Sequence, residues 1–469
     1  MQLTVSPERP AAKVRNPWLV VVPLAVASAT AALQQSAMVP LLPTLPEALG
    51  TSVGAATWAF TASLLVGAVA TPLLSRFGDM YGRRRVVLIA LGLLVIGSVI
   101  GGVSTTLPGL LTARVLQGFS AALIPLSIGL AREALPRHQL ATGIGVLSAT
   151  LGFGSGGGMI LAGVAGGYRA VFWVTGAVAL VITVVVALLV REPAPAPGGR
   201  PDLPGTILLT LALTALLLAI SQGGSWGWTS PAVLGLFALS AVIAVIWVAV
   251  ERRVAEPLIE IPMLTHRGTL GATGSGLILG FTLFLSMTTM SGFAQSQGST
   301  TLQVGVYLLP TTMLMLVISL FAGRMMRRLS APTLVATGSL VVGAADLWLL
   351  AFHRGEFDMY AATTLLGIGI GAAYAALGTM AVQHVEPAKT AVASGVNSLM
   401  RVVGGSMCGA VLAAILAAHT PAGSAVPSVT GYEVSLAVAA AGALVAALFA
   451  AGFARYARAA APEPALADA

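Results

Sequence analysis

The chain has 469 residues, 57% of them hydrophobic and 9% charged, with a formal net charge of +8. A soluble domain carries about a quarter charged residues, so this sequence cannot cover a water-facing surface and must keep most side chains in lipid. The positive balance does not point to nucleic acid, because the cations gather in alternate loops, and the single cysteine, Cys408, excludes an intrachain disulfide or a thiolate metal site.

A spanning helix needs ~20 mostly apolar residues. Fourteen such stretches are expected, near 17–40, 52–74, 85–104, 107–132, 139–165, 168–191, 203–222, 229–250, 269–293, 302–324, 332–352, 359–383, 390–418 and 432–456. With the N-terminus inside, the inner segments collect nearly all the cations, from Arg9 through Arg83, Arg84, Arg85, Arg253 and Arg328 to Arg458. The outer segments hold only Arg169 and Arg354, and Trp226 and Trp228 fit an outer aromatic belt. The fold class expected is therefore an all-α polytopic membrane protein with both termini cytoplasmic. Two longer inner connections divide it into a tail at 1–16, a six-helix bundle at 17–191 and a Pro/Gly-rich linker at 192–202. Two inserted helices follow at 203–250, then a charged linker at 251–268, a second six-helix bundle at 269–456 and a tail at 457–469. No cleavable signal pattern marks the first tail, and no strong internal sequence repeat marks the two bundles.

In chain order, span one ends with Leu33-Gln34-Gln35-Ser36 and then Pro40, Pro43 and Pro46. The prolines bend or end the helix and free carbonyls to line a cavity, while Gln34 has no proton to exchange at physiological pH. Between spans two and three lies Gly78-Asp79-Met80-Tyr81-Gly82-Arg83-Arg84-Arg85. A charged turn belongs at a membrane face, and three cations make that face cytoplasmic. Asp79 can cap a helix N-terminus and pair with a cation, and Gly82 permits a tight turn. Arg114 falls inside span four, where a cation needs a polar interior or a partner. Span five carries Gly145 and then Gly154-Ser155-Gly156-Gly157-Gly158, small residues that suit either a sliding interface between the bundles or plain tight packing. Asp346 is the one acid well inside a span, either a proton-binding carboxyl or a solvated one near Arg354. Asn397 and Arg401, four apart in span thirteen, share a helix face and either line the route or pin the span to a neighbour. The histidines fall in loops or at span edges. No phosphate-binding loop and no metal-ligand spacing occurs, so neither an enzyme nor a cofactor is expected.

Over nearly the whole chain these residues lie in motifs that resemble those of the major facilitator superfamily, specifically its fourteen-span drug:proton antiporters. The loop motif G-x-x-x-D-x-x-G-R-[KR] appears as Ser75-x-x-x-Asp79-x-x-Gly82-Arg83-Arg84. The R-x-x-Q-G-x-G motif of span four appears as Arg114-x-x-Gln117-Gly118-x-Ser120. The antiporter motif of span five is matched from Gly145 through Gly154 to Gly158, with Ser155 in place of its proline and Met159 in place of its last glycine. The span-one acid of the fourteen-span exporters is Gln34 here.

The resemblance implies a secondary transporter of the cell membrane, with two bundles rocking about a central site and amphiphilic or hydrophobic molecules moved outward. It makes Asp79, Gly82, Arg83 and Arg84 a conformational latch; the alternative for them is a topology anchor. It places Gln34, Gln35, Arg114, Gln117, Asn397 and Arg401 at the cavity, and Gly145, Gly154 and Gly158 at the bundle interface. Coupling would use protons, with Arg114 and Asp346 involved, in a monomer that binds a small-molecule substrate within the lipid bilayer and no nucleic acid. Export of one specific metabolite or lipid, uptake, or a non-transporting sensor or assembly partner on the same fold are the alternatives.

Overall fold

The computed structural model describes residues 16–38, 41, 45–51, 53–191, 202–255, 257–352, 355–386, 389–421 and 427–459. The first tail, most of both the 192–202 linker and the last tail, and Pro40, Pro43, His353 and Arg354 lie outside the described residues. Every long element described is an α-helix. In chain order they are α1 (Trp18–Ala37), α2 (Val53–Tyr81), α3 (Arg83–Val103), α4 (Leu107–Ala134), α5 (Arg137–Ala165), α6 (Tyr168–Leu189), α7 (Leu203–Trp226) and α8 (Pro231–Glu251). They continue as α9 (Arg267–Ser296), α10 (Leu302–Met325), α11 (Ala331–Ala351), α12 (Glu356–Val382), α13 (Thr390–Ala418) and α14 (Val429–Ala459). Among the described residues 13 of these are long and apolar enough to cross a membrane. The glycine-rich α5, helical over 29 residues, is the remaining long helix of the expected fourteen.

Lipid leaves backbone amides no partner but the helix itself, which is why the long apolar runs are helical end to end. Side-chain caps start several of them: Thr106, Asp202, Ser230 and Ser330 each accept a backbone N–H from the first turn of α4, α7, α8 and α11. One boundary differs from expectation. The charged turn after span two is not a loop: α2 runs on through Asp79 to Tyr81, α3 starts at Arg83, and Gly82 alone turns the chain, at φ 108°. A side chain there would be strained. Span four is also broken. A 3₁₀ segment, Phe119–Ala122, joins its two α-helical halves.

The helices pack as two copies of one arrangement. Within α1–α6 the first helix packs on the fifth and sixth, the third on the fourth and sixth, and the second on the fourth. Within α9–α14 the same ordinal pairs pack together. Across the interface the second helix of each set meets the fifth of the other, so that α2 packs on α13 and α10 on α5. This is two-fold logic expressed in contacts, without a repeated sequence. The inserted pair α7–α8 lies at the α2–α13 seam through α7. Only Val233, Ser240, Trp247 and Glu251 of α8 are buried, and Ser240 Oγ donates to the Ala212 carbonyl to hold it on α7.

Even-numbered helices end, and odd-numbered helices begin, at one face of the molecule, which carries Arg83, Arg84, Arg85, Arg191, Arg252, Arg253, Arg267, Arg327, Arg328 and Lys389. The opposite face holds Arg169 and the exposed Trp226 and Trp228.

Candidate functional site

Among the described residues Arg114 is the least exposed cation. It is 1% exposed and lies about 10 Å along α4 from the tryptophan-bearing face. Its Nε donates to the Ala59 carbonyl of α2 at 2.7 Å, Nη1 to Gln117 Oε1 at 3.0 Å and to Gln34 Oε1, and Nη2 to Gln35 Oε1 at 3.2 Å. Gln117 passes the network on to Ser98 of α3 at 3.0 Å, and Ser63 of α2 donates to Gln35 at 2.9 Å. One guanidinium thus ties α1, α2, α3 and α4 together, and every acceptor is a neutral oxygen. Gln34, Gln35, Arg114 and Gln117, four of the six residues expected at the cavity, come together in one cluster. Ser63 and Ser98 belong to it too, and no motif spacing in the sequence marks either.

The second cluster closes the cation-rich face. Arg83 is buried between Asp79, bonded at 2.8 Å through Nε, the Gly129 carbonyl at 3.2 Å, and Glu133 of α4. The other carboxylate oxygen of Asp79 accepts the backbone N–H of Val392, in the first turn of α13, at 3.2 Å. The capping role anticipated for Asp79 therefore exists, but the helix it caps belongs to the other bundle. Arg132 adds to the closure, donating to Thr390 Oγ1 at 2.6 Å and to the Val385 carbonyl at 2.9 Å. Arg84 stays within its own bundle and bonds the Ala187 carbonyl at the end of α6. The motif's missing first glycine is compensated across the gap. A Cβ on Gly395 of α13 would sit 2.7 Å from Ser75 Oγ, so the close approach is made by a glycine on the partner helix.

The glycines of α5 divide between two neighbours, which corrects the grouping of Gly145, Gly154 and Gly158 at one bundle interface. Gly145 does face the other bundle: a Cβ there would lie 2.8 Å from the Ser319 carbonyl of α10 and 3.1 Å from Ala375 of α12. Gly154 and Gly158 turn to α1 within their own bundle, where a Cβ would lie 2.8 Å from the backbone nitrogens of Leu33 and Ala37 respectively. At ~100° per residue, a nine-residue step from Gly145 to Gly154 reverses the face, while an eleven-residue step to Gly156 restores it. Gly156 indeed faces Thr312 of α10.

Asn397 and Arg401 share a stripe of α13 but serve different neighbours. Asn397 Nδ2 donates to the Ala272 carbonyl of α9 at 2.8 Å, which pins α13 within its own bundle. Arg401 is buried with its guanidinium 5.0 Å from the ring centroid of Tyr374 on α12, and Nη2 reaches Ser398. Tyr374 was not signalled by the sequence, because an aromatic in an apolar span reads as packing.

Asp346 of α11 is 0% exposed, so the solvated alternative for it does not hold. Ser286 of α9 donates to Oδ2 at 2.9 Å, and Oδ1 has no partner. It lies inside the second bundle, not between the bundles. A second acidic pair was missed. Asp202, the cap of α7, and Glu251, the last residue of α8, both approach the Cα of Gly205 so closely that a Cβ there would clash with each. Both carboxyls are buried; Asp202 Oδ2 makes no hydrogen bond, while the Glu251 carboxyl lies against the Trp247 indole and the backbone of Leu258 and Ile259. The Asp202-x-x-Gly205 capping spacing was visible; its closeness to Glu251 needed the α7–α8 hairpin. Glu251 opens onto a cavity of about 320 Å³ lined also by Arg252, Pro257 and Glu260. Nearby, Lys389 pairs with Glu260 at 2.7 Å, and that bond raises its pKa above the ordinary lysine value. The rings of His266 and His384 lie 5.6 Å apart, and burial followed by the His266 charge lowers the pKa of His384.

Residues 24–409 match the family model described as Major Facilitator Superfamily. The chain belongs to this superfamily. The puromycin resistance protein of Streptomyces alboniger is 32% identical over 79% of this chain and 76% of its own. The tetracenomycin C resistance and export protein of Streptomyces glaucescens is 27% identical over 86% of this chain and 77% of its own. Among solved structures, the human organic anion transporter MFSD10 superposes with a TM-score of 0.64 at 15% identity, covering 92% of this chain and 99% of that one, a likeness of fold. In this facilitator the neutral Gln34 occupies the place beside Arg114 where its motif resemblance would put an acid.

Proposed function

We propose that this facilitator exports amphiphilic small molecules by alternating access across the cell membrane, driven by protons, with its cation-rich face in the cytoplasm and one chain as the working unit. The observation that carries this reading is the closure of that face by bonds between bundles. Asp79 caps α13 and Arg132 holds Thr390 and Val385, while the interface runs through the paired α2–α13 and α5–α10 contacts. Bonds of this kind can be exchanged for water without unfolding either bundle, which is what a rocking transporter requires. The two Streptomyces relatives are named for resistance and export, and drug or natural-product efflux is the corresponding role here.

Gln34 rules itself out as the proton carrier, and Arg114 is a fixed charge. Asp346 is the proposed coupling carboxyl. Its one bond comes from Ser286 of α9, and the hydroxyls of Thr282 and Thr289 on the same helix are buried without partners, so a change of charge there alters a polar stripe of the second bundle. The test is dye flux in proteoliposomes under an imposed pH gradient. Gradient-dependent flux is expected in the wild type and a large loss in Asp346→Asn, with substrate binding retained. Equal gradient-dependent flux in both would remove Asp346 from the mechanism, and gradient-independent flux in the wild type would remove proton coupling.

A further inference from the structure

The unpartnered polar nitrogens at the buried Arg114 and Arg401 clusters are all donors. Gln35 turns its oxygen to Ser63 and Arg114, an orientation fixed by the guanidinium, and leaves Nε2 buried with nothing to bond. Arg401 bonds Ser398 through Nη2 alone, and its buried Nε and Nη1 have no acceptor. Neither Arg114 nor Arg401 has an ion-pair partner among the described residues. The buried carboxyls are engaged elsewhere: Asp79 with Arg83, Asp346 with Ser286, and Asp202 and Glu251 at the base of the inserted pair.

Arg401 sits about 16 Å into α13 from the cation-rich face, within the depth of the hydrocarbon. Its platform, Tyr374, shares a face of α12 with Gly378, four residues on, where a Cβ would meet Ile144 and Ser148 of the first bundle. The guanidinium therefore lies where the second bundle faces the first. A buried, unpaired cation with free donors is costly, and an anionic acceptor offsets that cost through charge-assisted bonds. We propose that the central site of this exporter takes amphiphilic anions, such as carboxylates and phenolates, and that Arg401 is the residue that selects them. The proposal rests on the export reading for its direction of transport but on the donor excess for its chemistry. Gln34 fits the same scheme: with no carboxylate beside Arg114, the interior keeps its positive charge for the ligand.

Two xanthene dyes of similar size and opposite charge test it at pH 8, the anion fluorescein and the cation rhodamine 123, titrated against purified protein by fluorescence anisotropy. Saturable binding is expected for fluorescein, tighter than for rhodamine 123. Arg401→Gln should weaken fluorescein binding by about tenfold or more, the scale of one lost charge-assisted bond. Arg401→Lys, which keeps the cation, should recover part of the loss and controls for a merely structural role. Tighter binding of rhodamine 123, absence of saturable fluorescein binding, or a fluorescein affinity unmoved by Arg401→Gln would overturn the proposal. Flux of the same dyes in proteoliposomes separates the two readings. Fluorescein binding without flux sustains the anion site and defeats export, whereas flux of rhodamine 123 without fluorescein binding sustains export and defeats the anion site.

Discussion

Arg114 and Asp79 show how much one side chain can organise when no water competes. Arg114 makes bonds to three glutamines and a main-chain carbonyl, and lysine cannot reproduce that fan of donors. Arg114→Lys should therefore destabilise the protein by about 3 kcal/mol, the scale of two lost hydrogen bonds to a charged group, read as a lower melting temperature in detergent together with lost flux. An unchanged melting temperature would mean that the cluster relaxes around lysine at no cost. Asp79 has two separable jobs. Asp79→Asn keeps an oxygen able to cap α13 but loses the charge that pairs with Arg83, while Asp79→Ala loses both. Transport should fall in the order wild type, Asn, Ala, with membrane insertion largely intact in all three; full transport by both variants would reduce the motif to a topology anchor.

At the level of helices, the α7–α8 hairpin and the linker after it carry chemistry that motif reading passed over. Asp202 and Glu251 repel one another in a buried site, and neither forms an ion pair among the described residues. Glu251→Gln removes that repulsion at constant shape. It should raise the melting temperature at pH 8 and leave it unchanged at pH 5; a fall at pH 8 would show that the charge of Glu251 is needed. The linker is also tied to α12 through His266 and His384. The pKa of His384 is depressed, so its neutral form is the one the folded contact favours. That contact is present above the ordinary histidine range and is lost as pH falls through the lowered value. Protection factors across 261–268, which correct exchange for its intrinsic pH dependence, should fall at pH 5 relative to pH 7.5 and should lose that fall in His266→Gln; an identical fall in that variant would discount the pair. The helices themselves were legible because lipid imposes long apolar runs. The faces of α5 were not, since a run rich in glycine has no polar stripe to tell which neighbour each residue meets, and Gly154 and Gly158 went to α1.

For the molecule as a whole, apolar run length made the all-helical membrane fold legible, and helix order sets Arg83, Arg253 and Arg328 opposite Trp226. Single cysteines at Arg253 and Trp228 in a Cys408→Ser background should label from opposite sides of inside-out vesicles, and labelling from the same side would end the fourteen-helix arrangement. The likeness between the two bundles was legible only in the six, two and six division of the spans, not in the residues. It survives in which helix packs on which, while the residues on matching helices differ: α4 carries Arg114 among glutamines, whereas its counterpart α12 carries Tyr374. The chemical asymmetry of the central helices is therefore visible only in three dimensions.

On the proposed alternating-access reading, the cap that Asp79 supplies to α13 is also a timer. A cap is worth about 1 kcal/mol, and opening the cation-rich face would break this one. Breaking it on each opening lengthens the dwell of the shut form by roughly fivefold, since 1.4 kcal/mol is a factor of ten in rate. One carboxylate oxygen on one amide thus sets part of the duty cycle of the machine, and any substitution there changes how long the protein waits before it changes what the protein carries.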